Sequence, residues 1–214
     1  MLLQADDVIV WQGDSITDAT RRREEKEANP NGAGLGCGYA LQASAVMLAK
    51  YPQFGLKFYN RGISGNRVPD MYARWTEDCM NLKPTLISIL IGVNDTWHGF
   101  TSNQGVSVPK FERVYRQLLQ ETKEHNPAIK LVLCEPFVLR CGVVQDPWVP
   151  EIEARQAIVA QLAKEFDTVL VKFQSVFDAA LKEAPATYWA NDGVHPTIAG
   201  HQRMAQAWLQ AVGV

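Results

Sequence analysis

A chain of 214 residues is long enough for one domain to bury roughly 70% of its unfolded surface without disulfide or metal staples. Its 47% hydrophobic and 21% charged content excludes a disordered or fibrous class. A formal net charge of −2 gives no overall field for nucleic acid or an anionic membrane. The one basic run, Arg21 to Arg23, is followed by Glu24, Glu25 and Glu27, which cancel most of its field, and it reads as a solvated segment.

In chain order, the apolar run Val8 to Trp11 reads as a first strand, followed by a helix near 38 to 50 and a second strand at Leu56 to Tyr59. A helix is expected near 70 to 82, then a third strand at Leu86 to Ile91. The surrounding apolar stretch, Thr85 to Val93, falls far short of the ~18 to 20 residues that cross a bilayer. Phe111, Val114, Tyr115, Leu118 and Leu119 fall at offsets 0, 3, 4, 7 and 8, one face of a helix. A fourth strand at Ile129 to Leu133 leads into Arg140 to Pro150, which carries Gly142, Pro147 and Trp148 and is expected to form a rim or lid. A helix near 151 to 166, a strand at Thr168 to Val171 and a final helix marked by Ala205, Trp208, Leu209 and Val212 complete the series. Continuous apolar strands alternating with helices specify a parallel sheet covered on both faces. With right-handed crossovers, the expected fold is α/β, a three-layer α/β/α sandwich with a five-stranded parallel sheet. No repeat or long linker divides it, so residues 1–214 are expected to form a single domain.

Cys37, Cys79, Cys134 and Cys141 have neither C-x-x-C spacing nor the density of a disulfide scaffold, and are expected to be reduced thiols. No basic stretch with an apolar core and a small-residue cleavage site precedes Asp6, which fits a cytoplasmic enzyme. Self-association is left open, because no heptad or flat edge strand specifies it.

In open α/β sheets, ligand groups gather where strands end. Gly13-Asp14-Ser15-Ile16-Thr17 follows the first strand. A serine on such a tight turn can be lifted clear of its neighbours as a nucleophile, or can simply cap a helix. Near the other end stands Asp192-Gly193-Val194-His195-Pro196, where a carboxylate three residues before a histidine can fold back on the ring, or form an ordinary surface turn. Two further blocks, Asn60-Arg61-Gly62-Ile63-Ser64-Gly65-Asn66 and Gly92-Val93-Asn94-Asp95, also lie just past strands. Glycine permits close approach of a backbone N–H to a ligand, and an asparagine amide is a neutral donor for an oxyanion.

In order and strand context the four blocks resemble the SGNH, or GDSL, hydrolase superfamily, with its flavodoxin-like fold. The resemblance implies Ser15 as nucleophile, Ser15, Gly65 and Asn94 as oxyanion-hole donors, His195 as general base and Asp192 as its orienting carboxylate. Ile16 stands where the family usually has leucine, a shape-conserving change, and Thr17 breaks the G-x-S-x-G elbow of the serine α/β-hydrolases. Asn60 to Asn66, Ala73-Arg74-Trp75, Gly92 to Trp97, Val194 to His201 and the glycine-rich Gly32 to Gly38 resemble the branch containing intracellular acetylxylan esterases. That implies an acetyl ester on a sugar as substrate and no cofactor. Trp97 and Trp148 offer flat faces for a pyranose ring, and Asp14, Arg61 and Asn66 could contact hydroxyls. Asp95 is expected to brace its loop, and His201 to pack or hydrogen-bond within the last helix.

The glycine-rich stretch matches neither G-x-G-x-x-G nor a Walker sequence and is expected to form a loop over the site. No H-E-x-x-H or Cys/His spacing suggests a metal. Lysophospholipase, thioesterase or arylesterase activity remains the nearest alternative, and a catalytically silent carbohydrate-binding module is the alternative of another class.

Overall fold

Five runs, four of them rich in valine, isoleucine and leucine, pair as parallel strands in the computed structural model, whose description covers residues 1–29 and 33–214. They are β1 (Val8–Gly13), β2 (Lys57–Asn60), β3 (Leu86–Leu90), β4 (Lys130–Cys134) and β5 (Val169–Val171). The spatial order is β2-β1-β3-β4-β5. The chain leaves β1 to one side, then recrosses to β3 on the other, so the loops after β1 and β3 diverge and open a crevice between them.

Helices cover both faces. The longer ones are α2 (Tyr39–Lys50), α6 (Val108–His125), α7 (Trp148–Glu165) and α10 (Ile198–Ala211), after a single turn α1 (Ser15–Asp18). Between them lie α3 (Val68–Ala73), α4 (Trp75–Asp78), α5 (Val93–Ser102), α8 (Phe173–Ala180) and α9 (Ala186–Trp189). Side chains alternate across each strand. Ile9, Trp11, Leu86, Leu90, Val132 and Cys134 pack beneath α2, α8 and α10. Val10, Ile87, Ile89, Leu131 and Leu133 pack against α3, α6 and α7. Burial on both sides is why these strands read as unbroken apolar runs rather than alternating ones.

Polar exceptions are few, and one is Ser88, fully buried in the centre of β3. Its hydroxyl accepts the indole N–H of Trp208 from α10 at 2.9 Å. The Trp208 ring lies 4.5 Å from that of Trp11, whose own N–H donates to Ser44 of α2 at 3.1 Å. Two indoles thus dock α2 and α10 on one face of the sheet, with both polar edges satisfied.

The expected helix over 70–82 is divided. It runs as α3, α4 and a short 3₁₀ turn at Met80–Leu82, because Arg74 leaves the helical path between α3 and α4 with φ −104° and ψ 7°. Its guanidinium is drawn into the loops described below. Residues after Gly92, expected as loop, form α5; α8, whose Phe173, Val176, Phe177 and Ala180 recur at helical spacing, and the one-turn α9 are not among the expected elements. Helix α7 begins at Trp148, so Pro150 falls in its first turn, where a missing N–H leaves no helical bond unmade. No helix among the described residues is long and apolar enough to cross a membrane.

Trp208→Ala removes both the ring contact and the Ser88 partner, and should destabilise the protein by about 3–5 kcal/mol, measured by urea unfolding.

Candidate active site

At the C-terminal end of β1, Asp14 caps α1 by accepting the Ile16 amide at 3.0 Å, which sets Ser15 at the first helical position. The Ser15 hydroxyl lies 2.8 Å from His195 Nε2, and His195 Nδ1 lies 2.6 Å from Asp192 Oδ2. A carboxylate on Nδ1 fixes the proton there and leaves Nε2 as the acceptor that faces the serine. The other Asp192 oxygen accepts the His195 and Val194 amides at 2.7 and 2.9 Å. Partial burial pushes the Asp192 carboxyl up, but the His195 ring and these two amides hold it on balance below its ordinary value.

Ser15 and Gly65 also bring two backbone amides to the lining of the same cleft. Among the described residues neither the Ser15 nor the Gly65 amide donates to a protein acceptor. Gly65 adopts φ +83° with open space where a Cβ would stand, a left-handed conformation natural to glycine. Asn94, from the first turn of α5, donates through Nδ2 to the Asn66 carbonyl at 3.1 Å, which orients its amide and leaves one N–H over. Ser15, Gly65, Asn94, His195 and Trp97 line one cleft of ≈ 560 Å³. The Trp97 and His195 ring centroids are 5.8 Å apart.

Beneath the loops runs a polar scaffold that the sequence patterns do not announce. Buried Asp18 accepts the Ser64 amide at 3.0 Å and its hydroxyl at 3.2 Å, fixing the turn that presents Gly65. Asn60 ties the same region together, donating to the Thr17 and Leu35 carbonyls at 2.6 and 2.9 Å. Arg74 donates to Asn66 Oδ1 at 2.7 Å, the Arg61 carbonyl at 2.8 Å and the Gly13 carbonyl at 3.3 Å, and pairs with Asp78. One guanidinium therefore clips the loops after β1 and β2. Asp95 braces its loop as expected, with its two oxygens 3.1 and 3.2 Å from the Val68 amide. His201 accepts the Tyr39 amide through Nδ1 at 3.1 Å and so caps α2. Burial, reinforced by the charge of His195, lowers its pKa to about 4, which keeps the ring neutral as the cap requires.

Several expected substrate contacts do not reach the cleft. Asp14 is 1% exposed and is occupied as a cap. Arg61 is 7% exposed and donates to the Asn60 and Lys26 carbonyls. Trp148 is 1% exposed and stands behind Trp97, ring centroids 5.5 Å apart, because apolar surface at the start of α7 is better buried than left on a rim. Asn66 is half-buried, with its side-chain oxygen taken by Arg74 and its carbonyl by Asn94.

The rim itself is a brace. The Leu139 and Val143 amides donate to the Gly193 and Asp192 carbonyls at 2.8 and 3.0 Å. A Cβ on Gly193 would stand 2.4 Å from the Leu139 carbonyl oxygen, so glycine permits this close seam. Of the glycine-rich stretch, Gly32 lies outside the described residues. Residues 34–36 are buried, with Gly36 packed on the Asp18 and Ala19 carbonyls, and so form no lid.

A serine hydroxyl against an imidazole held by a carboxylate, in a cleft also lined by Gly65 and Asn94 at the switch point of a parallel sheet, is an arrangement suited to acyl-transfer hydrolysis. The chain belongs to the GDSL-like lipase/acylhydrolase family, which it matches over residues 12–203. It is 36% identical to an acetylxylan esterase from Geobacillus stearothermophilus over all of this chain and 97% of that one, and the solved structure of that esterase superposes with a TM-score of 0.91. Other structures of the same esterase are of catalytic mutants, one with a serine and one with a histidine replaced by alanine. A solved structure from Parabacteroides merdae, described as a GDSL-like lipase, is 45% identical with a TM-score of 0.95, covering 99% of this chain and 97% of that one. Thioesterase 1/protease 1/lysophospholipase L1 of Escherichia coli is 29% identical over 77% of this chain and 73% of its own. The chain is thus an esterase-type hydrolase in fold and family.

Two carboxyls beneath the site are pushed up to about 7 by burial. For Asp14 the Ile16 amide and the His195 charge oppose the rise, and for Asp95 the Val68 amide and Arg155 do. In the unfolded chain both groups ionise near pH 4. Between about pH 4 and 7 the folded protein therefore holds protons that the unfolded chain has released. Stability contributed by these groups is present at low pH and is lost as pH rises through 7. Asp95→Asn keeps an acceptor for Val68 and removes the charge. Its stability relative to the parent should increase from pH 5 to pH 8, by up to about 1.4 kcal/mol per pH unit, read from urea unfolding at each pH.

Proposed function

We propose that this protein is a serine esterase that removes short acyl groups, acetyl above all, from acetylated xylo-oligosaccharides or related sugars, without a cofactor. The carrying observation is the 2.8 Å contact of Ser15 with His195, set beside two uncommitted amides. Ser15 Oγ attacks the ester carbonyl while His195 Nε2 takes its proton, and Asp192 stabilises the imidazolium that results. The carbonyl oxygen, now an anion, is held by the Ser15 and Gly65 amides and the remaining Asn94 N–H. His195 returns the proton to the departing sugar oxygen. Water then repeats the sequence on the acyl-enzyme, releasing acetate and restoring Ser15.

The sugar is supported by the composition of the cleft and by similarity to the acetylxylan esterase. Trp97 offers an aromatic face beside the catalytic imidazole, while Ser64, Ser102 and Gln104 line the remaining wall with polar groups. A long aliphatic acyl chain, as a lysophospholipase takes, would leave those groups unpaired.

Asn94→Ala should lower kcat on the order of a hundred- to a thousandfold, measured on nitrophenyl acetate. Asp192→Asn should lower it by about ten-thousandfold, since the wrong histidine tautomer then faces Ser15. Acetate release from acetylated xylo-oligosaccharides, compared with acetyl, butyryl and octanoyl nitrophenyl esters, tests the substrate. The expected result is release from the sugar, a steep fall with chain length and loss of both in Ser15→Ala. Rates that rise towards octanoyl would move the substrate to lipid or thioester, and activity surviving in Ser15→Ala would overturn the mechanism.

A further inference from the structure

Helix α5 begins with the oxyanion donor and then continues along the cleft. Asn94, Trp97, His98 and Thr101 recur at i, i+3, i+4 and i+7, one face of the helix, and all four line the cleft. The opposite side of α5 turns inward at its start, where Asp95 and Thr96 are buried, while Phe100 further along stacks one face on Trp148 at 6.0 Å and stays partly exposed. From Asn94 to Thr101 the helix rises about 10 Å at 1.5 Å per residue, the span of two linked pyranose rings. A single acetylated ring against Trp97 occupies only the near half.

The far half has a distinct chemistry. The Thr101 hydroxyl donates to the Trp97 carbonyl at 3.0 Å, and the Ser102 hydroxyl to the His98 carbonyl at 3.1 Å. Their protons are spent within the helix, so both oxygens are left as acceptors. Partial burial and the charge of Arg67 lower the pKa of His98, which favours the neutral imidazole with its one donor and one acceptor. The flanking charges cancel locally, since Arg67 Nε pairs with Asp70 at 2.8 Å while another of its nitrogens donates to the Gln104 carbonyl. An uncharged mixture of donors and acceptors suits hydroxyl groups. A carboxylate or phosphate finds no free cation among the described residues that line the cleft, and a hydrocarbon chain would strand the acceptors.

We propose that the far half of this cleft, formed by His98, Thr101 and Ser102 with Gln104 beyond them, is a subsite for a second pyranose unit, bound through its hydroxyls while the acetylated ring lies against Trp97. This rests on the carbohydrate reading above and makes the enzyme selective for oligosaccharide over monosaccharide esters.

The test compares kcat/KM on acetylated xylose and acetylated xylobiose for the parent, Thr101→Val and His98→Ala, with nitrophenyl acetate measured alongside. The parent should favour the disaccharide by about tenfold, as one or two net hydrogen bonds provide. That preference should fall towards one in at least one variant, chiefly through KM. A ratio taken within one preparation is independent of the folded fraction, so a destabilised variant still reports. A ratio near one in the parent, or an undiminished preference in both variants, would overturn the subsite while leaving the carbohydrate reading intact. Hydrolysis of nitrophenyl acetate with no turnover of either sugar ester would overturn the carbohydrate reading and the subsite with it.

Discussion

The parallel pairing of β1 with β3, in the register that sets Gly13 opposite Leu90, is the constraint from which the site follows. Each strand is buried on both faces and cannot slip by one residue without exchanging its two sets of apolar side chains. With that register fixed, the turn bearing Ser15 and the turn bearing Asn94 leave the sheet side by side. The β2 loop joins them because the Arg61 amide donates to the Trp11 carbonyl and the Ile63 amide to the Gly13 carbonyl, at 2.8 and 3.1 Å. Three of the four functional loops are thus placed by backbone pairing that no single side chain controls.

Fine positioning is a matter of buried polar groups. Asp18, Asn60, Arg74 and Asp95 each bond to the backbone of a loop other than their own. Such groups are costly to bury unless every partner is present, so the loops have few alternative arrangements. The loop bearing Asp192 and His195 is held separately, by the seam between residues 139–143 and Asp192–Gly193. Ser15 and His195 therefore stand on two separately braced platforms, which meet where Ser15 touches His195.

Much of this was legible in the sequence. The five strands, the amphipathic α6 and the chemistry-bearing positions Ser15, Gly65, Asn94, Asp192 and His195 lie where apolar runs and the four blocks indicate, and the structure brings all five together. What escaped is instructive. Asp14, Arg61 and Trp148 belong to residue types that bind sugars, yet burial commits them to capping, loop bonding and packing, and burial of an individual side chain is invisible to local pattern. Arg74 reads as one charged residue in a helical stretch, and only its bonds to the end of β1 and to the β2 loop explain why that helix breaks. The face of α5 was hidden because Gly92-Val93-Asn94-Asp95 reads as a turn; the spacing of Asn94, Trp97, His98 and Thr101 was nevertheless present and is the signal that would have revealed it. Asp18 offers no sequence signal, because its partners lie on Ser64, 46 residues away.

Ser15 and His195 are separated by 180 positions, and the loop bearing His195 runs directly into α10, the helix whose Trp208 seats on Ser88. Synthesis from the N-terminus therefore yields Ser15 long before the histidine that touches it, and their contact cannot exist until nearly the whole chain is made.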